Sequence, residues 1–144
     1  MITQSDMPEG YRLVVARPEL VRIEDAANPK LFLQAECEGG ELWFYVLAVE
    51  EDGTRGTVRG KELFELMVRH FGPLVDTVVG FWTKGINLTL FLNQIRDGKT
   101  ALEAAAETWT GRQASRHGFI PVHVENHEGL PRFARADFRK AGTP

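Results

Sequence analysis

The sequence predicts an α+β fold: a central mixed or antiparallel sheet with three to four helices, in the order β-β-β-β-α-β-α-α-β. Three observations carry this. Up to Gly60 the apolar residues fall in short β-rich runs, beyond Gly60 they recur at helical spacing, and at residues 119–125 a strand pattern returns. At 144 residues, 43% of them hydrophobic and 26% charged, the chain has the size and composition of one globular domain able to bury a core. Residues 1–144 are therefore expected to form a single domain, with residues 1–10 as a flexible lead-in.

Residues 11–16 (YRLVVA) and 19–24 (ELVRIE) have the Val, Ile and Leu content of strands, and Pro18 breaks the chain between them. Residues 31–37 and 41–49 flank Glu38-Gly39-Gly40, a connection of hairpin length. The second run is nearly continuously apolar, which predicts a central strand covered on both faces. An acidic turn, Glu50-Glu51-Asp52-Gly53, ends it. Leu63, Phe64, Met67, Val68 and Phe71 then mark the inner face of a helix that Gly72-Pro73 stops. Residues 75–82 read as a fifth strand. Asn87 is placed to cap a helix burying Leu88, Phe91, Leu92 and Ile95 and closing at Gly98. Thr100, with Glu103 three residues on, forms a capping box for the next helix, whose inner face is Leu102, Ala105 and Ala106. Thr108 or Thr110 caps a last short helix ending at Gly118.

Charge and composition exclude several classes. A formal charge of −3 argues against a dedicated nucleic-acid surface, which shows as a clustered basic excess. Only Arg132, Arg135, Arg139 and Lys140 make the tail locally basic, and they read as a solvated strand or helix face. Cys37 is the single cysteine, so no internal disulfide forms and a reducing compartment fits. No apolar run approaches the roughly 18–20 residues of a membrane span. Residues 1–10 lack the basic start and apolar core of a secretory signal. The expected location is cytoplasmic, or exported by a route needing no signal. No metal is expected, because His117, His123 and His127 would have to converge from a helix end, a strand and a loop. Cys37 reads as a small core residue, and Glu103 and Glu107 lack the E-x-x-H partner of a di-metal site.

The segment from Gly53 to Lys61, GTRGTVRGK, lies between a strand and a helix. From such a place backbone N–H groups and the helix dipole bear on a phosphate, with Arg55, Arg59 and Lys61 adding charge. Arg55, Gly56, Arg59, Gly60 and Lys61 are the candidate cofactor-binding residues. Neither a Walker pattern nor G-x-G-x-x-G is present, and the plain alternative is a solvated turn whose glycines serve its geometry. The sequence of hairpin, basic glycine loop, helix, strand, Asn87-led helix, Gly118-Phe119 and closing strand resembles the second half of GNAT-type acyltransferases, over about residues 31–125. In that family an Arg/Gln-x-x-Gly-x-Gly/Ala loop binds the pyrophosphate of acyl-CoA. Here Arg55 and Gly60 hold the outer positions, Val58 stands at the middle glycine, and an additional helix separates Asn87 from Gly118-Phe119. The resemblance implies acetyl-CoA or another acyl-CoA as cofactor and direct attack by an amine, with Glu50 or Glu51 as the catalytic general base.

A second likeness covers residues 59–124. Phe81-Trp82, Asn87-Leu88-Thr89-Leu90-Phe91, the run from Glu103 to Gly111, and Gly118-Phe119 are similar to segments near the C-termini of bacterial polymorphic-toxin and Rhs-type proteins. This implies a bacterial effector or toxin-related setting and assigns no catalytic residue. Trp82, at a strand end before the breaker Thr83-Lys84-Gly85, and Asn87, at a helix start, are the candidate pocket residues. The alternative for both is an aromatic plug under a helix pair. Two functions follow: a GNAT-like acyl-CoA-binding acyltransferase domain, degenerate at its middle glycine, and a non-enzymatic module that binds another protein through residues 82–118. A hydrolase or nuclease using the terminal histidines ranks below both.

Overall fold

Turn chemistry sets the first half of the structure. The computed structural model describes residues 1–47, 60–128 and 132–141, and the chain divides into two units, Met1–Val75 and Asp76–Pro144. In the first unit β1 (Tyr11–Ala16), β2 (Leu20–Asp25), β3 (Phe32–Glu38) and β4 (Glu41–Leu47) form an antiparallel meander. Pro18-Glu19 is the two-residue link of the first hairpin, closed by the Arg17 amide donating to the Leu20 carbonyl at 2.8 Å. Asp25 shapes the next turn, its Oδ1 accepting from the amides of Ala27 (2.8 Å) and Asn28 (3.1 Å). Gly39 and Gly40 both have positive φ, 58° and 82°. Two such residues in succession are the type I′ requirement, whose twist matches the strands it joins. The turn sets Glu38 opposite Glu41, Glu36 opposite Trp43 and Gln34 opposite Tyr45.

Period-two alternation then sorts the two faces. Val21, Ile23, Leu33, Ala35, Leu42 and Phe44 turn inward and are buried. The helix α1 (Gly60–Phe71) contributes Leu63, Phe64, Met67 and Phe71 to the core as its spacing predicts, but Leu66 is buried with them while Val68 is only half-buried. Phe64 stacks on Phe44 with ring centroids 4.9 Å apart. Each such side chain adds about 1.5–3 kcal/mol by leaving water. Gly72, at φ 51°, and Pro73 end the helix as expected. One expectation fails: β4 is not covered on both faces, because Tyr45 is 42% exposed. Aromatic residues with a polar tip tolerate a wet face, so an apolar composition did not require two buried ones.

In the second unit β5 (Thr77–Trp82) is followed by α2 (Ile86–Arg96), α3 (Ala101–Ala106), α4 (Trp109–Arg116), β6 (Phe119–His127) and β7 (Phe133–Lys140). Its strands lie antiparallel in the order β5-β7-β6. The class is α+β as predicted, but the chain ends α-α-α-β-β in place of α-α-β. The added strand is the basic tail, which the sequence offers only as a solvated strand or helix face. Its Ala134, Ala136 and Phe138 are fully buried, while Arg135, Asp137 and Arg139 alternate on the other face. Small inner residues between arginines hid the period.

The helix starts follow the capping signals with two corrections. Thr100 and Glu103 make the expected box, with the Glu103 amide on Thr100 Oγ1 at 3.2 Å and the Thr100 amide on Glu103 Oε1 at 3.1 Å. For α4 the cap is Thr108, whose Oγ1 accepts from the Gly111 amide (3.0 Å) and donates to the Ala105 carbonyl (2.7 Å). The first correction is that α2 starts from Gly85, at φ 90°, with Asn87 inside its first turn. The second is the inner face of α3, which is Ala104 and Ala105, leaving Leu102 44% exposed. A six-residue helix is too short for its spacing to fix its rotation.

Candidate functional site

The predicted site residues fall into three groups. Glu50, Glu51, Arg55, Gly56 and Arg59 lie outside the described residues. Gly60 opens α1, and Lys61 is exposed on its first turn. Trp82 and Asn87 lie in the second unit and are engaged there. Trp82 is 5% exposed, with its ring 6.3 Å from that of Phe91. It lies over Gly80, where a Cβ would come within 2.4 Å of the indole. Asn87 Oδ1 accepts from the Thr110 amide at 3.1 Å, so Asn87 caps α4 across the helix pair. An Asn at a helix start signals a cap; the sequence does not show which helix receives it.

The histidines do not form a cluster. His117 ends α4, His123 lies opposite Asp137, and the ring of His127 stacks on Phe133 at 5.6 Å. Among the described residues no group of three or more His, Cys, Asp or Glu is arranged to hold a metal ion. Among them, too, no helix is long and apolar enough to cross a membrane.

The outward face of the first unit's sheet holds an arrangement that sequence reasoning missed. Glu36, Glu38, Glu41, Trp43 and Tyr45 line a depression of about 300 Å³. β3 and β4 line it, and side-chain hydrogen bonds tie it to β2 and β1. Arg12 and Arg22 donate to the two oxygens of Glu24 (3.1 and 2.8 Å), Arg22 also to Gln34 Oε1 (3.1 Å), and Gln34 to Glu36 Oε1 (3.1 Å). The Trp43 indole N–H donates to Glu41 Oε1 at 3.3 Å. Rotamers held this way are spared part of the ordering cost of binding.

Charge divides along the same ladder. At its arginine end the Glu24 carboxyl is held below its ordinary range, first by the Arg22 hydrogen bond and then by Arg12. At the depression end three carboxylates stand beside two aromatic rings. The Tyr45 hydroxyl is pushed up, first by burial and then by the Glu36 carboxylate, so it remains a neutral donor. Among the described residues no histidine or serine is in the lining, and Cys37 belongs to the other face of β3 by alternation. Chemically, the arrangement attracts a cation and offers rings for it to lie against. It was legible in principle: a two-residue Gly-Gly turn dictates that Glu36 meets Trp43 and Gln34 meets Tyr45.

Comparison with protein-family models, with curated proteins and with solved structures finds no match to this chain.

Proposed function

We propose that this chain is a non-enzymatic protein-interaction module, in the bacterial toxin or effector setting that the resemblance of residues 59–124 implies. Its docking face is the outward side of β3 and β4, and the partner is a protein segment that presents an arginine or lysine. One observation carries this reading: a depression lined by three glutamates, an indole and a phenol. Charge complementarity selects the occupant. The first unit has eight Lys and Arg against thirteen Asp and Glu, whereas the second has nine against seven. A cation over an aromatic face gains about 0.5–2 kcal/mol depending on its desolvation. Nearby carboxylates add attraction that salt screens.

The test is an array of short peptides, each with one Arg or Lys in neutral flanks, titrated against the full chain. Binding should weaken with salt, and Trp43→Ala or the pair Glu36→Gln and Glu38→Gln should lower affinity about tenfold, a loss near 1.4 kcal/mol. Equal binding by all variants refutes the assignment of the face.

The acyltransferase reading rests on residues 50–61, where Lys61 stands at the start of a helix. Acetyl-CoA decides it. At about 100 times its Kd, a true ligand adds roughly 2.7 kcal/mol of stability, read as a rise in Tm that Lys61→Ala diminishes. No rise removes acyl-CoA as the cofactor.

A further inference from the structure

Residues 1–7 are anchored to the first unit at three places. The Ile2 side chain is only 4% exposed, and its amide donates to His70 Nδ1 at 3.3 Å. Within the segment, the Asp6 carboxylate accepts from the Thr3 amide at 2.8 Å and pairs with Arg69 at 3.1 Å. Gln4 makes the third anchor with both ends of its amide: Nε2 donates to the Tyr11 carbonyl (3.0 Å) and Oε1 accepts from the Leu13 amide (2.8 Å).

That last pair has a specific geometry. β1 ends the strand order, and an antiparallel ladder spends alternate residues on each side. The Tyr11 carbonyl and Leu13 amide point to the side away from β2. A primary amide bridging them stands where the peptide group of a further strand would sit. The edge is thereby blunted by a side chain, alongside the bulge between Leu13 and Val15.

His70 holds the first of the three anchors. A backbone amide can only donate, so Nδ1 must be the acceptor for Ile2. The ring's proton is then on Nε2, which donates to the Arg17 carbonyl at 2.7 Å. A second proton has one place to go, Nδ1, where it meets the Ile2 N–H donor to donor. The bond to Arg17 survives and the bond to residues 1–7 does not. The charged groups on the elements around the ring are Lys61, Glu62, Glu65 and Arg69 on α1, Arg17 and Glu19 on the β1–β2 turn, and Asp6 on the segment itself. Asp6 is held ionised below its ordinary range, chiefly by the Thr3 amide.

We infer that residues 1–7 are an acid-released latch on the outer edge of β1, kept shut by the neutral imidazole of His70. Opening bares the Tyr11 carbonyl and the Leu13 amide.

Amide hydrogen exchange on the intact chain, corrected for intrinsic rates and followed beside the His70 ring signals by NMR, tests this. As the ring takes its second proton, the Leu13 and Asp6 amides should lose protection about fivefold to tenfold, the loss of one hydrogen bond's worth. The Val21 and Leu33 amides should not change. His70→Asn keeps an acceptor that cannot be protonated, and its Leu13 amide should stay protected in acid. Gln4→Ala should strip Leu13 of protection at neutral pH. Leu13 protection that ignores the His70 titration in the unmodified protein overturns the inference by itself. So does an equal loss in the His70→Asn variant.

Discussion

Gly111→Ala is the substitution for which helix propensity and packing give opposite signs. Gly111 is the third residue of α4, a position where alanine is favoured by about 1 kcal/mol. Propensity alone makes the variant more stable. The space around it forbids that outcome. A Cβ at residue 111 would stand 2.2 Å from the Ala105 carbonyl oxygen and 2.9 Å from the Ala106 carbonyl carbon and oxygen. All three atoms are backbone, so no rotamer relieves the overlap. The helices α3 and α4 must separate by roughly an ångström. That separation pulls on the fully buried Thr108, whose Oγ1 links the Gly111 amide to the Ala105 carbonyl. Overpacking of this kind costs about 1–3 kcal/mol, and a buried hydrogen bond left unmade about 1–3 kcal/mol more. Subtracting the propensity gain leaves a net loss of about 1–4 kcal/mol, the overlap and the strained bond being partly one event. Urea unfolding of the two proteins measures it, as a lower midpoint with little change in slope. A variant as stable as the parent, or more so, would show that α3 and α4 do not approach at Gly111 and would refute the packing described here.

Asn87→Ala should leave the Thr110 amide without its acceptor and cost about 0.5–2 kcal/mol, the range for a lost cap; Asn87→Asp, which keeps an acceptor, should recover most of the loss in the same unfolding assay. The α3 box predicts a pH dependence. The Glu103 carboxyl is held below its ordinary range, first by the Thr100 amide and then by the Thr100 side chain. A depressed folded value means that its contribution is fully present above the unfolded value and is lost as pH falls through the folded one. Unfolding midpoints taken from neutral pH down through the carboxylate range should therefore drop less in Glu103→Gln, which cannot ionise, than in the unmodified chain.

How much of this was legible depended on whether a signal was local. Paired glycines, Thr100 with Glu103, and the spacing of Leu63, Phe64, Met67 and Phe71 each act within a few residues, and each gave its element correctly. The strand β7 was missed because alanine carries little hydrophobic signal, so Ala134 and Ala136 did not stand out between arginines although both are fully buried. The partner of Asn87 lies 23 residues away, and a cap donated across a helix pair has no local trace. The depression belongs to an intermediate case. Its parts are on two strands, but a two-residue turn fixes their register, so alternation read outward from Gly39-Gly40 would have assembled it. The outward residues of β4 are themselves aromatic, so its apolar content masks the period of two.

The same hairpin couples the proposed site to the stability of the first unit. Side chains on a strand alternate, so the residues that line the depression and those that fill the core cannot be placed independently. A register that puts Trp43 and Tyr45 outward necessarily puts Leu42 and Phe44 inward, where both are buried. A slip of one residue would exchange them. It would expose two side chains worth about 1.5–3 kcal/mol each in burial and press an indole and a phenol, with their polar tips, into the core. The positive-φ turn therefore does more than join two strands. By excluding the slipped register it sets Glu36 opposite Trp43, and Gln34 opposite Tyr45, as the chain folds. A face ordered at the expense of folding, and not of binding, is what a recognition surface requires.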